Sequence, residues 1–343
     1  MRIGVDVMGG DHAPGCNLDG AAQAVQHLRA EDRIYLVGDE GMIRRGLEER
    51  GATDPRLVVV PTTQVIGMDE SPVEAVRNKP NSSITVLAEM ASERRSEKYG
   101  HERLDAVLSA GNTGACVSAA QMHMRRLPGV QRPGIAVTVP TFGGPVVLLD
   151  VGANIEPKPA HLAQYGVMGE VYAQRVLGIT RPRVAIMNVG GEEGKGTADM
   201  KLARDLLREV PDLNFIGYVE GRGVFDGEAD VVITDGVVGN VMIKLAEGLS
   251  AGIFKAIARE VKKIDPELGK RLAPVVQSIY AQHDYEEYGG APLLGVNGIS
   301  LISHGSSSAR SICNAIRRCR QFVDAAVNAS IVDRLSAMRE VAA

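Results

Sequence analysis

Tryptophan is absent from this chain, and cysteine is scarce: Cys16, Cys116, Cys313 and Cys319 are the only four in 343 residues. Their positions share no metal-ligand spacing, so no sequence-coded zinc site is expected. They read as reduced thiols of a cytoplasmic protein. An excess of positive charge is also missing. The formal net charge is −4, so no overall field draws nucleic acid, and an acidic partner would need a local basic patch. No uninterrupted apolar run approaches the roughly 18 residues of a membrane span. Met1-Arg2-Ile3-Gly4-Val5-Asp6 enters strand-like sequence directly, so no signal peptide is expected. Repeats and low-complexity tracts are lacking too.

Glycine is plentiful, with 39 residues, which suits many tight loops between regular elements. The length fits one large α/β domain, taken here as residues 1–335, rather than a single small core. Apolar strand-like runs at 2–6, 33–37 and 57–60 alternate with helical stretches at 17–29 and 42–50. That pace signals βαβ units and a mostly parallel, Rossmann-like sheet. Gly143-Gly144-Pro145 lies between strand-like runs at 135–139 and 146–150, close enough for a hairpin, so the sheet is expected to be mixed. Further strands are expected at 183–188, 214–219, 231–234 and 299–303. Helices are expected from 83 to 96, from 159 to 177 and from about 309 to 338, the last capped by Ser306 or Ser307.

Six loops share one design, in which an apolar strand runs into a small, polar, glycine-rich turn and then a helix. They are Gly9–Pro14, Gly111–Gly114, Asp150–Asn154, Gly190–Thr197, Asp235–Asn240 and His304–Ser308. In a parallel sheet such loops gather at one edge, where unpaired backbone N–H groups favour anions. Leu104–Ala115 shows the design most plainly. The connection 77–83 adds Arg77, Lys79, Ser82 and Ser83 beside a helix start.

After residue 240 the pattern changes. Met242, Leu245, Leu249, Ile253, Ile257, Val261 and Ile264 recur every three or four residues, an amphipathic helix. Asp265-Pro266 turns the chain into a second helix that Pro274 should kink. The resulting hairpin, 241–283, reads as a dimer interface, a membrane-surface contact or both. Arg259, Lys262, Lys263, Lys270 and Arg271 cluster near its turn, and Arg317, Arg318 and Arg320 form a second basic group.

Several chemistries lack their signatures. Lys195 is followed by Gly196 and position 189 is Val, so the glycine loop there is no P-loop. No Gly-x-Gly-x-x-Gly follows the first strand. No Gly-x-Ser-x-Gly elbow or local Cys/His pair supports an enzyme nucleophile. Asp11, Asp150 and Asp235 do not form a sequence-level metal cluster.

The motifs Met8-Gly9-Gly10-Asp11-His12-Ala13-Pro14, Ser109-Ala110-Gly111-Asn112-Thr113-Gly114-Ala115, Leu149-Asp150-Val151-Gly152-Ala153-Asn154, Thr234-Asp235-Gly236 with Gly239-Asn240, Tyr288-Gly289-Gly290-Ala291 and His304-Gly305-Ser306-Ser307 occur in that order. Together they resemble the bacterial phosphate acyltransferase family of phospholipid synthesis over residues 1–330. Two departures are Asn78 and Pro80 around Lys79, where the family usually has consecutive cations, and Gly191, where it often has Thr. The resemblance implies a three-layer α/β/α sandwich related to phosphotransacetylases and isocitrate-type dehydrogenases. It implies transfer of a fatty acyl group from acyl carrier protein to inorganic phosphate, with no cofactor or metal. It also implies a homodimer that touches the inner face of the membrane and supplies acyl phosphate to a membrane glycerol-3-phosphate acyltransferase. Within it, loop position assigns Lys79, Ser82, Ser83, Asn112, Thr113, Gly114, Asn154 and Ser306 to phosphate. Lys195, Asn240 and His304 are assigned to the oxyanion or the leaving group, with Asp235 orienting. Two rivals stay open: a metal- and NAD(P)-dependent dehydrogenase of related fold, and a non-catalytic binder of acyl phosphate or carrier protein.

Overall fold

A computed structural model describes residues 1–100, 102–141, 143–282 and 289–341. Its strands are β1 (Arg2–Asp6), β2 (Arg33–Gly38), β3 (Leu57–Pro61), β4 (Ala106–Ser109), β5 (Gly134–Thr141), β6 (Gly144–Leu149), β7 (Val184–Met187), β8 (Phe215–Val219), β9 (Val231–Ile233), β10 (Ala291–Leu294) and β11 (Ile299–Ile302). Its helices are α1 (Gly15–Ala24), α2 (Glu40–Glu49), α3 (Pro72–Asn78), α4 (Ser83–Met90), α5 (Thr113–Ala119), α6 (Pro159–Leu177), α7 (Ala198–Arg208), α8 (Gly221–Phe225), α9 (Gly236–Ile264), α10 (Pro266–Gln282), α11 (Ala309–Asp324) and α12 (Val327–Val341).

All eleven strands join one sheet in the order β3-β2-β1-β4-β11-β10-β5-β6-β9-β7-β8. β1 to β4 and β11 run parallel, and so do β6 to β9. Between these sets, β10 is antiparallel to both β11 and β5, and β5 is antiparallel to β6. Three reversals mean that the two parallel lobes point in opposite directions. This corrects the expectation that all six glycine loops share one edge. The loops after β1, β4 and β11 leave the sheet on one side, and those after β6, β7 and β9 leave on the other.

Period-two alternation sorts the strand residues onto two helical layers. Leu149, Ala136, Ile186 and Ile233 face α6 and α7, in a core that continues through Leu18, Ile43, Ile312 and Leu335 of α1, α2, α11 and α12. Leu148, Ala185 and Val232 point the other way, to Val224 of α8 and the start of α9. Ile135, Val107 and Ile302 join α4 and α5 on that second face. Each fully buried Leu or Ile contributes roughly 1.5–3 kcal/mol, so the alternation fixes the register strongly.

Some boundaries differ from the sequence expectation. The stretch 291–294, within an expected loop, is a strand, because its neighbours β11 and β5 need a partner between them. Tyr288 of the same motif lies outside the described residues. The helix expected over 83–96 stops at Met90, where the chain wraps around Glu89. The final helix breaks at Ala326, whose φ is 50°. There Asn328 donates to Val296 O and Gly298 O at 3.1 and 2.9 Å, and Ile331 and Leu335 turn into the core. Its cap is Ser308, not Ser306 or Ser307. α9 starts at Gly236, earlier than its apolar stripe suggests.

Candidate active site

A cleft of about 850 Å³, open mouth included, lies over the centre of the sheet where the two lobes meet. Its floor is apolar: Ile135 and Val137 of β5, Ile302 of β11, Val151 after β6 and Ile243 of α9. Its rim is polar and comes from both sides. Thr113 and His304 follow β4 and β11, whereas Asn240 and Lys244 stand on α9 after β9. Strand reversal produces this arrangement, because the C-terminal loops of opposed lobes approach the same central strands from opposite directions.

Each lobe ties its first loop to a buried carboxylate. Asp6, at the end of β1, accepts from Ser109 Oγ at 2.7 Å and from Met8 N at 3.0 Å, and Ser83 also hydrogen-bonds it. Asp150, after β6, accepts from Ile135 N at 2.8 Å, Ala153 N at 3.1 Å and Asn154 N at 2.7 Å. Burial pushes both carboxyls up, and these donors oppose the rise. Backbone passes very close beside each knot. A Cβ on Gly9 would stand 2.6 Å from Gly111 N, and one on Gly239 would stand 2.1 Å from Asp150 O. Glycine is therefore required where β1 meets β4 and where α9 begins.

The predicted residues divide by what their side chains already do. Asn112 caps α5, accepting from Ala115 N at 3.0 Å, and its amide nitrogen donates to Gly67 O, Met68 O and Glu70 O. Ser82 caps α4 and bonds Thr85 Oγ1 at 2.9 Å. Lys79 donates to Val65 O at 2.8 Å and pairs with Glu70 at 2.5 Å. Asn154 donates to Pro133 O at 2.6 Å and to Tyr165 OH at 2.7 Å. These side chains, with Ser83 on Asp6, are the internal frame of their loops. Asp235 caps α9, its Oδ1 accepting from Val237 N and Val238 N, both at 2.9 Å.

Facing the cleft are Thr113, Asn240 and His304. His304 Nδ1 lies 2.8 Å from Ser306 Oγ and accepts from Ser306 N at 3.3 Å, whereas Nε2 has no hydrogen bond among the described residues. Gly114 follows Thr113 in the first turn of α5. Lys195 lies in an exposed loop after β7 that does not line the cleft.

Sequence reasoning missed Ser303 and Lys244. Ser303 is 6% exposed and lines the cleft, and its hydroxyl has no partner among the described residues. Its signal was its place at the end of β11, one residue before His304. Lys244 was hidden within the α9 periodicity. Among the described residues no three His, Cys, Asp or Glu side chains gather to hold a metal ion. Cys116 is buried, and its thiol is pushed up to about 12 by that burial.

A sequence profile described as "Fatty acid synthesis protein" matches residues 1–330. A phosphate acyltransferase of Heliobacterium modesticaldum is 45% identical over 338 residues, covering 98% of each chain. One from Moorella thermoacetica is 44% identical over 344 residues, covering 99% of this chain and 97% of its own. The chain belongs to the phosphate acyltransferase family. Among solved structures, a phosphotransacetylase from Streptococcus pyogenes superposes with a TM-score of 0.59 at 18% identity, covering 99% of this chain and 94% of its own. The EutD phosphotransacetylase of Staphylococcus aureus gives 0.54 at 15%, covering 98% and 94%. At these identities the likeness is one of fold, and it agrees with the α/β sandwich described above. Family membership makes the protein an acyl-transferring enzyme.

The long helices need one correction. α9 spans 29 residues and is apolar enough to cross a membrane by length and composition alone. Counting uninterrupted apolar runs missed this, because isolated charges break the run without removing its hydrophobicity. α10 folds back on α9 as expected, with Pro274 inside it. Along α9 the side chains Val241, Leu245, Leu249 and Ile253 are 49–66% exposed.

Proposed function

We propose that the cleft transfers a fatty acyl group from the thioester of acyl carrier protein to inorganic phosphate, releasing acyl phosphate and the carrier thiol. The observation that carries this reading is the cleft itself: an apolar floor suited to an acyl–thioester arm, beneath a rim of hydroxyl, amide, imidazole and ammonium groups with one carboxylate, Glu247. Phosphate acts as the nucleophile on the thioester carbonyl, so no covalent enzyme intermediate forms. The Cys116 thiol, held up to about 12, is a poor nucleophile and fits that route.

In this proposal phosphate rests against Thr113 Oγ1 and Gly114 N–H. Asn112, Ser82, Ser83 and Lys79 serve phosphate by holding that loop in shape. Asn154 does the same for the Asp150 loop, and Ser306 fixes the His304 ring. Asn240 donates to the tetrahedral oxyanion and His304 Nε2 stabilises the departing thiolate, whereas Lys195, outside the cleft, is given no part in the step. Asp235 orients α9 and hence Asn240. Positioning and oxyanion donation can each supply several kcal/mol. The product is a reactive mixed anhydride, suited to acylation of glycerol-3-phosphate by a membrane enzyme.

The exposed stripe on α9 supports a role in homodimer formation and in contact with the inner face of the membrane, with the catalytic body in the cytoplasm. Vesicle sedimentation checks the second role: a Leu268→Glu variant should pellet less with anionic vesicles than wild type, and equal pelleting would count against it. The reaction is tested by incubating purified protein with acyl carrier protein thioester and phosphate. Free carrier thiol and acyl phosphate should appear in equal amounts. Binding without thiol release would favour the non-catalytic reading, and reduction of a nicotinamide dinucleotide would favour the dehydrogenase.

A further inference from the structure

Where basic side chains cluster in this protein, carboxylates mostly answer them. At the hairpin turn Arg259 and Lys263 meet Glu260, and Lys270 meets Glu267. On α11, Arg320 is held by buried Asp32, and Arg318 bonds Gln321. Both groups singled out from the sequence are therefore partly neutralised within the fold.

Arg126, Arg132 and Lys158 differ. All three are exposed, and the ion pairs formed among the described residues involve other side chains. Folding brings them together from separate segments. The Arg126 guanidinium donates to Gln131 O. Gln131 N donates to Gln164 Oε1 of α6 at 2.8 Å, and Gln164 Nε2 donates back to Gly129 O at 2.9 Å. These bonds clamp the 126–132 turn onto the first turns of α6, whose N-cap is Lys158. His161 lies among them, accepting from Lys158 N at 3.0 Å. Burial, then the nearby charges of Arg132 and Lys158, hold its ring below the ordinary imidazole range.

The cluster also lies next to the cleft. Arg132 precedes the floor residue Ile135 by three positions, a path of about 10 Å at the rise of an extended strand. Pro133, between them, is pinned by Asn154 Nδ2. Concentrated positive charge that meets no carboxylate among the described residues steers an acidic macromolecule and favours its docking.

We propose that Arg126, Arg132 and Lys158 form the docking surface for the acidic protein that delivers the acyl thioester. This rests on the proposed function for the partner's identity and extends it by naming the surface. The flexible arm of the donor spans the short distance to the cleft, and the protein body stays on the patch.

The test compares wild type with R126E/R132E/K158E and with the milder R126Q/R132Q/K158Q, after thermal melts confirm that both fold. Binding of fluorescently labelled acyl carrier protein is followed by anisotropy across a salt series. Turnover of a small acyl-pantetheine thioester with phosphate is followed separately. Charge reversal should weaken carrier binding by about tenfold or more at low salt and flatten its salt dependence. The neutral variant should fall between, and small-thioester turnover should stay at the wild-type level. Unchanged carrier binding in the folded reversal variant overturns the proposal. So does a parallel loss of small-thioester turnover, which would make the patch part of the cleft. If wild type binds carrier through this patch but releases no thiol, the reaction fails and the docking surface stands. If wild type turns over the small thioester but does not bind carrier, the docking surface fails and the reaction stands.

Discussion

Asn112 and Asn240 look alike in sequence. Each follows an apolar strand by a few residues, sits beside glycines and lies at or near a helix start. In the fold their side chains stand in different surroundings. Asn112 has both ends of its amide engaged, as cap of α5 and as donor to the carbonyls of Gly67, Met68 and Glu70. Asn240 stands one turn into α9 and lines the cleft, and the cap there is Asp235. One loop spends its polar groups on its own shape. The other presents a polar group at the cleft, which the proposed function assigns to the oxyanion. Hydrogen-bond commitment, more than residue type or glycine spacing, separates frame from working surface.

The largest effect that tests this contrast belongs to the cleft. On the proposed assignment, Asn240→Ala should lower kcat/KM by roughly 10²-fold, the cost of one oxyanion donor, while leaving the urea midpoint nearly unchanged. A stability loss matching that of Asn112→Ala would erase the distinction. Asn112→Ala removes a cap and the three donations that hold the 67–70 turn, so it should destabilise the fold by about 1–2 kcal/mol. That is read as a lower midpoint, with a rise in the phosphate KM of the folded fraction and a smaller fall in kcat than Asn240→Ala gives.

Glu89 extends the frame side of the comparison to a charge. It is 5% exposed and receives Arg95 at 2.6 Å, Lys98 at 2.8 Å and the Tyr99 hydroxyl. Burial raises its pKa, but Lys98, Tyr99 and Arg95 outweigh that and bring it to about 2. A depressed carboxylate contributes stability that is present above its unfolded pKa and is lost as pH falls through the folded one. Glu89→Gln should therefore cost about 1–2 kcal/mol at pH 7, and the gap to wild type should shrink as pH falls from about 4.5 toward 2. A gap independent of pH, in urea midpoints taken at pH 7 and pH 3, would mean that packing rather than charge holds the 91–103 segment. The smallest effect is at Lys79, whose pair with Glu70 is about one-third exposed on each side. Lys79→Ala should change stability by less than about 1 kcal/mol and alter the phosphate KM only modestly. A tenfold rise in that KM would move Lys79 from frame to direct phosphate contact.

Much of the architecture was legible because local patterns carried it. The alternation of Leu148 with Leu149 and the helical period from Leu245 to Ile257 are short-range signals, and the strands and hairpin follow from them. The helix expected over 159–177 is α6, Pro159–Leu177, which starts on a proline and ends at Gly178 in the left-handed region. Sequence by itself thus determined the layered α/β class, the glycine loops, the amphipathic hairpin and, through ordered motifs, the family. The β5–β6 hairpin was legible from Gly143-Gly144-Pro145, but the opposed direction of the two parallel sets was not, because β10 and its antiparallel pairing were hidden in a glycine-rich connection. Sequence could not show that Arg126 and Arg132 would be clamped beside Lys158, or that Asn112 would be fully bonded while Ser303 kept an unpartnered hydroxyl. Those outcomes depend on contacts between residues tens to hundreds of positions apart. Only tertiary structure decided them, since a hydrogen bond or a charge cluster exists only once both partners have been brought within a few ångströms.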